Sequence, residues 1–276
     1  MNIDERSLIE LPDNWYVSEL PNFGRLLWPE NGLPLVLSFL AFRFLSWCMS
    51  KWAWTGFQGF RQYRLCNLTV CVIHSTIVGG SVFYFALTHL QVMLNNPATY
   101  YEPSMKTVFQ ITVGYFIHDT IHMMNHEISK WTIELFLHHS ATIILFLCPI
   151  TSHQFAVFAY WALLMEVNSI FLHLRTIHQL SGRTTSHPGE FEVIKYTNVV
   201  TFIIFRFMVQ TFQINFTYKY QDHFVYFYKF VGLYGSLLFL IINIFLFYRV
   251  LASDGFLGKK IQERAKKTNR DHQKNQ

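Results

Sequence analysis

Charge is scarce in this chain. Only 14% of its 276 residues are Asp, Glu, Lys or Arg, whereas 51% are hydrophobic and 28 are Phe. A soluble domain of this length needs far more polar surface to cover its core. The composition, with a mean hydropathy of +0.22, therefore points to several of the roughly 20-residue apolar segments that cross a bilayer. Cysteine is also sparse. Cys48, Cys66, Cys71 and Cys148 show no metal-ligand spacing and sit in or beside apolar stretches, which predicts buried free thiols. The first 30 residues lack a basic region followed by an apolar run and carry Asp4, Glu5, Glu10, Asp13 and Glu19 instead. That pattern argues against a cleavable signal peptide and predicts that the first apolar span inserts as a signal anchor. The net charge of +5 comes mainly from the C-terminal tail, so no nucleic-acid partner is expected.

What is present is a succession of apolar spans. Hydropathy and turn residues predict seven, at about 34–49, 65–90, 108–124, 132–148, 155–174, 199–216 and 230–251. Residues 1–32 read as an interfacial or flexible arm, 33–59 as the first span and its link, and 256–276 as a basic tail. Pro149 is expected to close the fourth span, and 175–198 to form a polar loop. Seven crossings place the termini on opposite sides. Lys51, Arg61, Arg64, Lys130, Arg175, Arg183, Lys195 and the tail cluster fall on one side, against Arg6, Arg25, Lys106, Lys219 and Lys229 on the other. The positive-inside rule then predicts a cytosolic C-terminus and a non-cytosolic N-terminus. If the first span does not cross, six remain and both termini are cytosolic.

Residues 114–175 hold most of the ionisable groups found inside apolar sequence: His118, Asp119, His122, His126, His138, His139, Glu166 and His173, with Asn168 among them. Such groups are expensive in hydrocarbon and usually face a bundle interior or cavity, so a central polar cavity between helices is expected. Helical spacing puts His118 and His122 on one face, Glu134, His138 and Thr142 on another, and Glu166 with His173 on a third. Arg206 and Gln210 share a face of the sixth span. Three chemistries are compatible with the pattern. A metal site has enough ligands, but the sequence lacks HExxH and the repeated Glu-x-x-His of di-iron bundles. Acyl transfer would use His138 or His139 as base or nucleophile, oriented by Glu166 or Asp119. A binding or structural network would use the same groups without reaction, with His118, His122, Asn168, His173 and Arg206 as lipid-binding residues. No resident cofactor and no metal is expected.

His138-His139-Ser140-Ala141-Thr142 resembles the opening His-His-x-x-Thr of the ceramide-synthase signature, which belongs to the TLC-domain family. Gly114 to Asp119, Leu164 to Leu172 and the Arg61 to Leu68 entry to the second span strengthen the likeness, which covers roughly 60–255 and is nearest to the branch of TLC domain-containing proteins 1 and 2. The resemblance implies an all-α polytopic membrane protein with a helical bundle around a polar cavity. It further implies a plasma-membrane protein, with endoplasmic reticulum as the alternative, that regulates phospholipid acyl-chain composition and membrane fluidity by limiting incorporation of polyunsaturated chains. Membrane phospholipids are the implied partners, together with acyl-CoA as substrate or a membrane acyltransferase as the regulated protein. The alternatives are an acyl-CoA-dependent lysophospholipid acyltransferase and a lipid-binding scaffold. The sequence departs from the ceramide-synthase pattern where His-Asp-x-x-Asp is replaced by Met165-Glu166-Val167-Asn168-Ser169. There is also no homeobox-like region, so ceramide synthesis is not expected.

Overall fold

The computed structural model describes residue 11 and residues 15–126 and 130–274, except for the side chains of 130–132, 266 and 268–274. The acidic residues of 1–10, Asp13 and the centre of the third link, 127–129, lie outside the described residues. Among the described residues seven long helices follow one another, α2 and α3 being separated by a short helix, Leu90–Asn95: α1 (Pro29–Trp52), α2 (Gly59–Thr88), α3 (Pro103–His126), α4 (Lys130–Ser152), α5 (Ala156–Ser181), α6 (Pro188–Lys219) and α7 (Tyr226–Asp254). A polar helix, α8 (Lys259–Lys274), follows. All but α3 and α8 contain stretches apolar and long enough to cross a membrane. The 24 residues of α3 span about 36 Å at 1.5 Å per residue, but Gln110, Thr112, His118 and Asp119 lower its hydropathy, and all four are buried. The chain is an all-α polytopic membrane protein.

Helix boundaries differ from the sequence expectation where side chains or tight turns intervene. Pro149 lies inside α4, which continues to Ser152. Proline removes one ladder donor, and the last turn is supported by Thr151 and Ser152 hydroxyls that donate to the carbonyls of Leu147 and Cys148. The expected 175–198 loop is mostly helix. Gly182, at φ +81°, turns the chain after α5, and Pro188 opens α6 eleven residues before the expected start. Proline at a first helical position costs no hydrogen bond. The helix α5 is interrupted at Leu164, and α6 and α7 each contain a π-helical turn, Ile203–Met208 and Val231–Gly235.

Alternation of direction gives the bundle two ends. The tail end holds the α1–α2, α3–α4 and α5–α6 connections and α8, and the far end holds the others. Gly79 and Gly114 are among the glycines that permit close helix crossings. A Cβ on Gly79 of α2 would stand 3.0 Å from the Glu166 backbone of α5, and one on Gly114 of α3 would stand 2.6 Å from Ser38 of α1. At the tail end Arg175 is buried, donating through Nε to Asp254 at 2.6 Å and through Nη2 to Ser253, so it is an interhelical tie rather than a loop charge. At the far end Val17 pairs with the α6–α7 connection: its N–H donates to the His223 carbonyl, and its carbonyl accepts from Val225. Trp15 stacks on His223 with centroids 4.7 Å apart.

Candidate functional site

The polar groups of the bundle separate into four clusters. The first runs along α3 at the tail end. His118, His122 and His126 follow at four-residue spacing, with ring centroids 5.4 and 4.5 Å apart. Tyr63 of α2 stacks on His126 at 4.4 Å. Both ring nitrogens of His118 are buried without a partner.

The second cluster pins three helices. Asp119 of α3 accepts from Asn67 Nδ2 of α2 at 3.1 Å, and its other oxygen lies 3.7 Å from His139 Nε2 of α4. The opposite ring nitrogen of His139 lies 3.1 Å from Thr120 Oγ1. The Thr120 hydroxyl donates to the Phe116 carbonyl at 2.7 Å, so it accepts from His139 Nδ1–H, and Asp119 lies near Nε2 but beyond hydrogen-bond distance.

The third cluster joins α2 to α5. Ser75 Oγ donates to Glu166 Oε2 at 2.6 Å, and His74 Nδ1 lies 3.8 Å from the same oxygen. His74 is fully buried and stacks on Tyr115 with centroids 3.7 Å apart.

The fourth is centred on Arg206 in the π-helical turn of α6. Its Nε donates to Asn168 Oδ1 at 2.6 Å, Nη1 to Asn243 Oδ1 at 2.9 Å and Nη2 to Ser169 Oγ at 3.0 Å. Asn168 in turn donates to the Asn198 carbonyl at 3.0 Å. Arg206 thus ties α5, α6 and α7 through neutral oxygens, and its guanidinium also lies 5.1 Å from the Phe202 ring centroid.

A cavity of about 330 Å³ lies among α4, α5, α6 and α7. Its polar wall comes from three helix faces. His138 and Thr142 lie at i and i+4 on α4, Glu166 and Ser169 at i and i+3 on α5, and Arg206, Gln210 and Gln213 at i, i+4 and i+7 on α6. The rest is apolar, including Phe116, Leu145, Phe158, Met165 and Phe239. The His138 ring meets Phe239 of α7 edge-on at 5.0 Å, and its Nδ1 is buried without a partner. The π-helical turn of α7 supplies Val231, Tyr234 and Gly235 to the lining. Such turns recur where helices build functional sites.

The nine residues singled out from sequence are therefore distributed. His138, Glu166 and Arg206 line the cavity. Asn168 stands behind Arg206 as its partner. His139 and Asp119 form a separate buried pair, and His118 and His122 belong to the α3 ring stack. His173 is partly buried on α5, two turns beyond Glu166 toward the tail end. Glu134, expected on the His138 face, instead accepts from Arg249 at 2.9 Å nearer the tail end. Sequence reading left His74, Ser75, Ser169, Gln213, Asn198 and Asn243 outside the site. Two signals were present: the seven-residue spacing of Asn67 and His74, and Asn243 as a lone amide in an apolar run. Among the described residues no three His, Cys, Asp or Glu side chains converge as a metal site requires. The cavity wall offers imidazole, carboxylate, guanidinium and amide groups on one side and hydrocarbon on the other, which suits an amphiphile.

The comparisons agree with this architecture. The TLC domain model matches residues 64–252. TLC domain-containing protein 1 of Gallus gallus is 30% identical over 204 residues, covering 71% of this chain and 76% of that protein. TLC domain-containing protein 2 of Danio rerio is 29% identical over 208 residues, covering 74% and 82%. TLC domain-containing protein 1 of Homo sapiens is 29% identical over 197 residues, covering 70% and 76%. No solved structure matches the chain. A family match across most of the chain, on a bundle with polar residues gathered at its core, leads to one conclusion: the chain belongs to the TLC-domain family.

Proposed function

We propose that this protein regulates the acyl-chain composition of membrane phospholipids, and through it membrane fluidity, by holding a lipid chain in the α4–α7 cavity and limiting incorporation of polyunsaturated chains. The observation that carries the reading is the cavity itself, apolar on most sides and lined on one by His138, Glu166 and Arg206. Ligand pockets combine mostly apolar walls with a few placed polar groups. The plasma membrane is the favoured location, and the chain acts there on phospholipids or on a membrane acyltransferase. The test compares phospholipid acyl profiles in cells lacking the protein, restored with wild type or restored with Ala141→Trp, which fills the cavity. Wild type is expected to lower the polyunsaturated fraction and Ala141→Trp to leave it raised. Equal profiles at matched membrane levels overturn the reading.

A second reading is favoured by one observation, the unpartnered Nδ1 of His138 beside the cavity. An imidazole there can take a proton from a lysophospholipid hydroxyl and return it to the thiol leaving an acyl-CoA. On this reading purified protein in nanodiscs acylates lysophospholipid from acyl-CoA, and His138→Ala lowers the rate by roughly 10²–10⁴-fold. Absence of product from folded wild type removes the enzyme and leaves the regulator.

A further inference from the structure

The polar atoms of the cavity specify more than an acyl chain. Arginine has five N–H donors. Three of those on Arg206 go to Asn168, Asn243 and Ser169, leaving two donors on a side chain that lines the cavity. One turn along α6, Gln210 is 1% exposed. Its amide nitrogen faces Gln213 Oε1 at 3.4 Å, and the Gln213 amide donates to the Phe158 carbonyl at 3.1 Å. That order of donors leaves Gln210 Oε1 as a buried acceptor with no partner. Buried polar atoms are normally satisfied, so a fitting occupant brings an oxygen acceptor for Arg206 and a hydroxyl donor for Gln210.

The cavity also has a direction of entry. Ile144, Phe230, Tyr234 and Leu238 line it yet are 49, 50, 58 and 43% exposed. The mouth therefore lies between α4 and α7 on the lateral, apolar surface. It is tied at the far end by Tyr228 Oη donating to Ser152 Oγ at 3.2 Å, and at the tail end by Arg249 and Glu134 at 2.9 Å. A ligand arriving there comes from the bilayer. At about 330 Å³ the cavity is near the small end of ligand pockets, roughly 300–1,000 Å³, which favours one chain over two.

We infer that the cavity binds a single-chain glycerolipid that retains a free glycerol hydroxyl. The hydroxyl donates to Gln210 Oε1, the ester carbonyl accepts from Arg206, and the chain lies along the apolar wall toward the α4–α7 mouth. This rests on the cavity being an acyl-chain site. A fatty-acid carboxylate satisfies Arg206 but brings no donor for Gln210. A diacyl phospholipid has no free hydroxyl on the glycerol that bears its chains, and it carries a second chain. Monoacylglycerol and lysophospholipid share the required chemistry.

The full chain in nanodiscs is offered radiolabelled 1-oleoylglycerol, with 1-oleoyl-lysophosphatidylcholine, oleate and methyl oleate as competitors. Both glycerolipids are expected to compete at least about tenfold better than methyl oleate, because an occupant without the hydroxyl leaves Gln210 unpaired. The tighter of the two identifies the headgroup source. Gln210→Met keeps the side-chain length and removes the acceptor. It should bring the glycerolipid-to-methyl-oleate ratio close to one, because no acceptor is then left unpaired by methyl oleate. Where Gln210→Met does not fold, Gln210→Asn, which withdraws the acceptor by one methylene, carries the same comparison. Equal competition by methyl oleate in wild type, or a ratio that survives loss of the acceptor, overturns this inference and leaves the acyl-chain reading standing. Absence of all single-chain binding, or binding undiminished by Ala141→Trp, overturns both.

Discussion

Arg206 joins three helices through Asn168, Ser169 and Asn243, and none of these partners is charged. Removing the guanidinium strands two buried amide oxygens, each costing about 1–3 kcal/mol. Arg206→Met is therefore expected to lower the thermal midpoint of the purified protein markedly, and an unchanged midpoint would show that the three contacts do not hold the helices. The neighbouring histidines give a sharper contrast. His139 is hydrogen-bonded to Thr120 with Asp119 nearby, whereas His138 faces the cavity and meets the Phe239 ring of α7. His139→Ala should cost about 1–3 kcal/mol of stability, since Asp119 loses a nearby group and a buried volume empties. His138→Ala should leave the midpoint nearly unchanged while altering cavity binding. Midpoints measured on both variants in one detergent decide the matter. If His138→Ala is the more damaging, the assignment of His139 to structure and His138 to the cavity is reversed.

Between helices, the close crossings depend on missing side chains. Gly114 lets α3 approach Ser38 of α1, and Gly79 lets α2 approach the backbone of Glu166. Small residues at membrane helix interfaces allow such contact. Gly79→Val pushes against backbone, which has no flexible end to give way, and so displaces the residue that Ser75 holds. Overpacking of this kind costs typically 1–3 kcal/mol. The expected outcome is reduced stability together with altered lipid binding, whereas Gly80→Ala, at a site with nothing within 4 Å, should change neither. Equal effects of the two would mean that the α2–α5 crossing does not position Glu166. At the tail end Arg175→Ala leaves the buried carboxylate of Asp254 without its cation. Breaking a buried pair in this way costs roughly 3–5 kcal/mol, so folded yield is expected to fall steeply. Arg175→Ala with Asp254→Ala should recover part of the loss, and no recovery would argue against direct coupling.

Across the whole molecule, seven alternating helices place the start of α1 and the end of α7 at opposite ends of the bundle. The tail end carries Lys51, Arg61, Arg64 and Arg183, followed by the basic face of α8 with Lys259, Lys260 and Arg264. Positive charge on short connections favours the cytosolic side. A tag after residue 276 should therefore be reached when the plasma membrane alone is permeabilised, and a tag before residue 1 should be reached only from the non-cytosolic face. A cytosolic N-terminal tag would mean that α1 does not cross. α8 adds an expectation of its own, because basic residues near an anionic leaflet each contribute about 1 kcal/mol of attraction. Neutralising Lys259, Lys260 and Arg264 together should weaken binding of an isolated α8 peptide to phosphatidylserine vesicles and leave binding to neutral vesicles unaltered.

The sequence by itself determined the class of molecule and the number of long helices, because hydropathy and length are properties of a single segment and need no partner. It also determined that polar residues such as His118, Asp119, His138 and Glu166 would be turned inward, since hydrocarbon penalises them wherever the helices pack. The motif around His138 and His139 was enough to place the chain near its family, and the model match to 64–252 bears that out. What spacing along one helix does not contain is the rotation of that helix against its neighbours. His138 and His139 are adjacent in sequence, yet one faces the cavity and the other faces Asp119, because successive residues of a helix diverge by about 100°. The same holds for Glu134, which shares a face with His138 but lies a turn closer to the tail end and meets Arg249 there. Arg175 read as a loop charge because its partner, Asp254, lies 79 residues away. Pro149 read as a helix end because local propensity does not include the polar side chains that support the following turn. Tertiary packing alone decided which polar groups meet and which are left to face a ligand, since those pairings follow from the crossings at Gly79 and Gly114 and from the bonds that gather α5, α6 and α7 around Arg206.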